Sequence, residues 1–269
     1  GRMRMDENDE NAAPSGGYAA VSLLIEGNEQ KARELGNDID SFNQDRKSID
    51  RNVTQEAHDY IESNPELKKR KSTVVYNPKW VKGIVGIVAS RLIETYYRPT
   101  VVLTMSNGLV TGSARSIPGF DLYQAVESCS DLLENFGGHM YAAGLTMRPE
   151  NVEAFTKRFN DYVEAHIDPQ ILIPQVDIDS ELLFSDITPA FYRQLNSFQP
   201  FGPGNTAPVF VTYGASNHGD ARLVGAEMEH LRMDLVQKQK PNTTMQTIAF
   251  QQPTHYECCL LYTSPSPRD

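Results

Sequence analysis

The chain has 269 residues, 39% of them hydrophobic, and a formal net charge of −10, which is enough apolar content for a sizeable core and length enough for two domains. So acidic a protein cannot grip duplex DNA over its whole surface, because such binding rests on neutralising phosphates, and any nucleic-acid site has to be a local groove. No window reaches the roughly 18 apolar residues of a membrane span, no secretory signal is visible, and Cys129, Cys258 and Cys259 give no disulfide framework, so a reducing cytoplasm fits.

In chain order, Gly1-Arg2-Met3 is followed by an acidic, turn-rich run, Asp6 to Gly17, without periodicity, and residues 1–17 read as a flexible insertion. From Tyr18 to Ser63 the apolar residues Ala20, Val21, Leu24, Ala32, Leu35, Ile39, Phe42, Ile49, Val53, Ala57 and Ile61 form a helical stripe, which Gly27-Asn28 divides into a short helix and a long one. Residues 18–71 are thus a helical linker. Asn64-Pro65 ends the long helix, and the basic run Lys68-Lys69-Arg70-Lys71 has the look of a solvated helix end.

Beyond the linker, the pattern predicts a strand at Thr73–Tyr76, a helix over Gly83–Tyr96, and strands at Thr100–Met105 and Leu109–Arg115 joined by a Ser106-Asn107-Gly108 turn. Leu122, Ala125, Val126, Cys129, Leu132, Leu133 and Phe136 then fall at helical spacing, predicting one helix from Asp121 that stops at Gly137. A strand at Ala142–Met147 and a helix over Asn151–His166 complete an α/β domain of residues 72–167. Asp168-Pro169 and Pro174 mark a boundary. The next region, residues 168–257, predicts a strand at Gln175–Phe184, a helix at Thr188–Phe198, and strands at Pro208–Tyr213, around Leu231–Leu235 and at Thr247–Phe250. In the tail, residues 258–269, the pattern disappears.

The chemistry concentrates between Gly112 and Gly144. In a strand Gly112-Ser113-Ala114-Arg115-Ser116, Ser113 and Arg115 share a face, and a hydroxyl beside a guanidinium suits a phosphate, with the small Gly112 and Ala114 leaving room. In Gly137-Gly138-His139, paired glycines let the backbone approach a ligand next to a side chain that donates near neutral pH. A serine two residues before an arginine is common, and a Gly-Gly after a helix is most often a C-cap; the two motifs together are far more specific. The six histidines are scattered without ligand-like spacing, so no metal site is read in this chain.

Gly137-Gly138-His139 followed by Ala142-Ala143-Gly144 resembles the DHH-associated domain of the DHH phosphoesterases. Gly86-Ile87-Val88-Ala89-Ser90-Arg91, Gly112 to Ser116, Phe136 to Gly144 and Phe198-Gln199-Pro200-Phe201-Gly202-Pro203-Gly204-Asn205 extend the resemblance to the RecJ exonucleases over roughly residues 19–256. The resemblance implies a DHH-associated mixed-sheet α/β domain preceded by a long linker helix and followed by an incomplete oligonucleotide-binding (OB) barrel with an unpaired edge. It implies degradation of single-stranded DNA from its 5′ end with Mn2+ or Mg2+, in DNA repair and recombination, with a single-strand-binding protein and a repair helicase as further partners. The metal-binding domain is expected upstream of Gly1, leaving this chain to place substrate and to be inactive alone. Ser113, Arg115, Ser116, Gly137 and Gly138 would hold a phosphate, and His139 would be catalytic. Phe198, Phe201, Phe210 and Tyr213 are candidates for stacking bases, against the commoner fate of core packing. Asn43 and Arg46 match a recurrent pair of the family's linker helix, and are equally well read as exposed polar positions. Where the family commonly has Trp-His, this chain has Trp80-Val81, and valine can neither donate nor titrate. A phosphodiesterase for short oligonucleotides or cyclic dinucleotides, and a non-catalytic single-strand-binding module, remain alternatives.

Overall fold

The computed structural model describes residues 16–219, 221–238 and 240–257. They fall into two compact units divided between Pro174 and Gln175. The tail from Cys258, and the acidic run except for Gly16 and Gly17, lie outside the described residues.

The first unit begins with α1 (Gly16–Ile25) and α2 (Glu29–Glu62). The break between them is chemical as well as steric: Asn28, in an extended conformation, accepts the Lys31 N–H at 3.1 Å and so caps α2. At 34 residues α2 is about 50 Å long, and its buried residues, Asp50, Val53, Thr54, Ala57 and Ile61, all lie in the C-terminal half. Asn64 caps the short α3 (Pro65–Lys69), whose first residue is the proline that ends the long helix.

There follow β1 (Thr73–Tyr76), α4 (Val85–Tyr96), β2 (Thr100–Ser106), β3 (Leu109–Arg115), α5 (Leu122–Glu127), β4 (Leu133–His139), β5 (Ala142–Met147) and α6 (Val152–His166). The strands form one sheet in the order β1-β2-β3-β5-β4. β1 and β2 are parallel, and α4 is the crossover that parallel pairing demands. The β2–β3 hairpin turns at Asn107 and Gly108, both with positive φ, as the right-handed twist of the flanking strands requires.

One sheet face, carrying Val74, Val101, Leu103, Val110, Ala114, Ala143, Leu145 and Met147, packs with α5 and α6 in a single apolar cluster that includes Phe155 and Phe159. The other face is apolar only at β1 and β2, where Val75 and Val102 meet Val85, Val88 and Leu92 of α4 and Val53, Ala57 and Ile61 of α2. β3, β5 and β4 contribute no apolar side chain to this second cluster, although the first turn of α4 reaches over β3.

The expected helix from Asp121 to Phe136 is only half a helix. α5 ends at Glu127, a single 3-10 turn spans Ser130–Leu132, and Leu133–His139 is strand β4. Residues at three-and-four spacing satisfied a helical pattern, but Asn135-Phe136-Gly137-Gly138 has little helix propensity, and β5 offers an unpaired edge that this segment fills. The glycine pair is therefore inside a strand and caps no helix. At Gly138, with φ of +154°, an added Cβ would collide with the backbone of Ala142 and Ala143, so only glycine lets β4 lie this close to β5.

In the second unit, β6 (Ser180–Glu181), α7 (Pro189–Asn196), β7 (Phe210–Val211), β8 (Ala215–Asn217), β9 (Arg222–Val224), β10 (His230–Gln237) and β11 (Lys240–Ala249) follow in order. β10 is central, pairing antiparallel with β11, β8 and β9, while β6 and β7 form a separate parallel pair. Among the described residues the sheets do not close, as expected for a partial OB barrel. The strand expected over Gln175–Phe184 shrinks to Ser180–Glu181, because Val176 and Ile178 stay exposed and only this short piece finds a partner. Thr188 caps α7, accepting the Phe191 N–H at 3.1 Å. Gln237 is buried, and its amide joins the sheet to its surroundings: it accepts the Phe184 N–H and donates to the Tyr213 carbonyl, each at 3.1 Å.

Candidate nucleic-acid interface

Ser113 and Arg115 stand two apart on β3 and share a face, with the Arg115 guanidinium donating to Ser113 Oγ at 2.8 Å and to the Ala114 carbonyl at 2.9 Å. The first turn of α4 lies directly over the pair. A Cβ built on Gly86 would stand 2.9 Å from the second terminal nitrogen of Arg115 and 3.1 Å from Ser113 Oγ, so Gly86 is bare where the guanidinium needs the space. Burial pushes the pKa of Arg115 below its ordinary value, a shift that leaves a guanidinium charged near neutrality. Among the described residues no carboxylate is paired with it.

Register decides what else shares this face. Arg115 is opposite Ala142, and Ala142 is opposite His139; Ser113 is opposite Gly144, and Gly144 is opposite Gly137. Directly paired residues of antiparallel strands project to the same side. The arginine and the histidine therefore flank one shelf, their backbones two strand spacings or about 10 Å apart, with Ala142, Gly144 and Gly137 as its floor. A Cβ on Gly137 would meet nothing within 4 Å, and one on Gly144 only the Gly112 carbonyl at 4.0 Å. Packing does not require these two positions to be bare; the space they leave is open floor.

His139 is exposed, and its Nδ1 accepts the Tyr141 N–H at 3.3 Å. In the neutral ring that bond puts the proton on Nε2, which becomes a donor. The turn that supplies this N–H is itself anchored: the Tyr141 carbonyl accepts the Ser116 N–H at 3.0 Å and the Met140 carbonyl accepts the Leu122 N–H at 3.1 Å. Tyr141 escapes sequence reasoning because its backbone does the work. Gly86 and Gly144 were legible only as parts of motifs, since their role is to be absent from a space. Ser116 uses its hydroxyl to donate to the Phe120 carbonyl at 2.9 Å, bracing the loop after β3.

Other cations named by sequence are committed elsewhere. Lys68, Lys69 and Lys71 pair with Glu62, Glu66 and Glu164, and Arg91 pairs with the buried Asp50 at 2.7 Å. Arg46 donates to Asn43 at 2.7 Å within α2. Arg98 is buried and donates to the Lys68 and Arg70 carbonyls that α3 leaves behind. Trp80 is buried with its indole N–H on Glu56, while Val81, next to it, is exposed. In the second unit Phe210 is half-buried with its ring edge-on to Phe191, Phe201 is half-buried, and Tyr213 and Phe198 are exposed. The loop from Phe198 to Asn205 is stapled by Asn205, whose amide donates to the Phe198 and Pro200 carbonyls. Among the described residues no three His, Cys, Asp or Glu side chains converge as metal ligands, and no helix is long and apolar enough to cross a membrane.

Comparison with known proteins bears on these features directly. Residues 70–165 match the DHHA1 domain and residues 178–265 the RecJ OB domain. The single-stranded-DNA-specific exonuclease RecJ of Bacillus subtilis is 34% identical over 218 residues, and that of Escherichia coli is 33% identical over 200. The chain belongs to the RecJ family. These alignments cover 80% and 71% of the chain but only 27% and 34% of the two relatives, so it spans about a third of their length. A crystal structure of RecJ from Thermus thermophilus in complex with Mn2+ superposes with a TM-score of 0.69 at 26% identity, covering 87% of this chain and 33% of that one. The same protein in complex with Mg2+ superposes equally well.

Proposed function

We propose that this chain is the substrate-placing part of a RecJ-type exonuclease that hydrolyses single-stranded DNA from its 5′ end, in repair and recombination, in the cytoplasm. In this reading residues 18–71 are a linker, 72–167 the phosphate-binding domain and 168–257 a partial OB domain. The observation that carries the proposal is the shared shelf: Ser113 and Arg115 on one side, the Nε2–H of His139 on the other, and bare backbone between. The floor between the two sides is about 10 Å across, and the first turn of α4 stands over its Ser113–Arg115 side.

Arg115 holds the phosphate by charge-assisted hydrogen bonds, and Ser113, whose oxygen is already accepting from Arg115, keeps its own proton to donate. His139, with Nδ1 occupied as an acceptor, serves as a donor toward the negative charge that grows on phosphate oxygens as water attacks phosphorus and the ester oxygen leaves. A divalent metal is assigned to the reaction from the relatives' Mg2+ and Mn2+ complexes, and in this reading the contribution of this chain is placement. The test is binding of 5′-phosphorylated against 5′-hydroxyl oligothymidylate. Arg115→Ala should weaken the phosphorylated strand by about tenfold or more, the cost of a lost charged hydrogen bond, and abolish the preference for it; equal affinities before and after the substitution would refute the assignment.

A further inference from the structure

The hairpin between β4 and β5 turns at Met140 and Tyr141, between His139 and Ala142 of the shelf, and both side chains stand in solvent, 42% and 47% exposed. The turn does not need them. Backbone bonds hold it from behind, the Tyr141 carbonyl on the Ser116 N–H and the Met140 carbonyl on the Leu122 N–H, and it is the Tyr141 N–H that orients His139. The other tyrosines of the α/β domain are already engaged: Tyr123 lies against Phe136, Tyr162 stacks on His166 with centroids 4.0 Å apart, Tyr96 donates to Glu62, and Tyr76 and Tyr97 pack against the first apolar cluster. The ring of Tyr141 meets that of His139 at 6.2 Å between centroids, with the two planes inclined at 72°. Rings so nearly perpendicular are not stacked. At least one face of the phenol is therefore uncovered, and among the described residues its hydroxyl makes no hydrogen bond.

An exposed ring by itself is ordinary; this one stands where the shelf ends, against the imidazole. We infer that Tyr141 seats, by stacking, the base of the nucleotide whose phosphate lies on the shelf. Base and phosphate hang from the same sugar, so a phosphate held between Arg115 and His139 brings its base to the rim, and the rim beside His139 is this ring. Every base has a π-face, which makes such a seat tolerant of sequence, as suits removal of one nucleotide after another. The hydroxyl takes no part. This inference rests on the reading of the shelf as a phosphate site, and it adds to that site a side chain that lies outside both glycine-bounded motif chemistries.

The experiment measures binding of three strands to the whole chain: 5′-phosphorylated hexathymidylate, the same strand with a 5′-hydroxyl, and the phosphorylated strand with a tetrahydrofuran abasic residue as its first nucleotide. The wild type should bind the abasic strand about tenfold more weakly than the intact one, the usual contribution of a base stacked on an aromatic ring. Tyr141→Ala should bind the intact strand about tenfold more weakly and no longer distinguish it from the abasic one. It should keep its preference for the 5′-phosphate, because the backbone N–H that orients His139 remains. Tyr141→Phe should match the wild type, and an unchanged melting temperature verifies the fold of both variants. A wild type indifferent to the missing base, or a Tyr141→Ala that still detects it, would overturn this inference and leave the shelf as it stands. Loss of the phosphate preference in Tyr141→Ala would show the side chain shaping the turn instead of meeting a base, and would overturn it as well. A wild type that ignores the 5′-phosphate would overturn the shelf reading, and this inference with it.

Discussion

Gly137 and Gly138 are neighbours with opposite duties. At Gly138 an added methyl runs into the backbone of Ala142 and Ala143, which cannot move aside as a flexible side chain would. Gly138→Ala should therefore cost about 1–3 kcal/mol of stability, the usual penalty for forcing atoms into a filled space, measurable by urea unfolding. At Gly137 the same methyl meets nothing. Gly137→Ala should leave stability within about 0.5 kcal/mol and still weaken binding of a 5′-phosphorylated strand, because the methyl stands on the floor of the shelf. Equal stability losses at the two positions would mean that both glycines serve the fold, and the argument for an open floor would fail.

α2 and α4 are held together by polar contacts at the rim of their apolar seam. The Tyr96 hydroxyl donates to Glu62 at 3.0 Å, and His58 Nδ1 is 3.2 Å from the same hydroxyl oxygen. Burial, and then the hydrogen bond to Glu62, raise the pKa of Tyr96 from 10.0 to about 12. The neutral phenol is thus favoured in the folded state, so its contribution is fully present below pH 10 and is lost as pH climbs toward about 12. Stability of the wild type should fall more steeply across that interval than that of Tyr96→Phe; parallel curves would show that the hydroxyl contributes nothing to docking the linker helix. The same elements show how a local pattern is overruled. Leu132, Leu133 and Phe136 satisfied a helical stripe, yet β4 forms because the edge of β5 supplies partners for its backbone and only a strand brings Gly137 and His139 onto the shelf.

The two units differ sharply in how much they bury. The first has two apolar clusters, whereas in the second Phe184, Ala221 and Leu231 are the buried apolar residues among those described. Burial of apolar surface is the main favourable term in folding, so the second unit should unfold first. Trp80, the one tryptophan of the sequence, is buried in the first unit and reports on that unit alone. In urea, far-ultraviolet circular dichroism should begin to change at a lower concentration than tryptophan fluorescence. Coincident curves would mean that the chain unfolds as one cooperative block.

Length, charge and hydrophobic spacing determined the break between the two linker helices at Gly27-Asn28, the end of the long one at Asn64-Pro65, and the strand, helix and two strands that follow up to Arg115, because each depends on residues adjacent in the chain. Motif chemistry also marked Ser113, Arg115 and His139. That these three lie on one face was decided by strand register, since β5 enters between β3 and β4 and sets Ala142 opposite both Arg115 and His139. Which glycines are bare for packing and which leave open space, and which aromatic rings are spent in contacts, were likewise settled only when distant segments met. Spacing along a chain records which way a side chain can point; it carries no record of what will be waiting there.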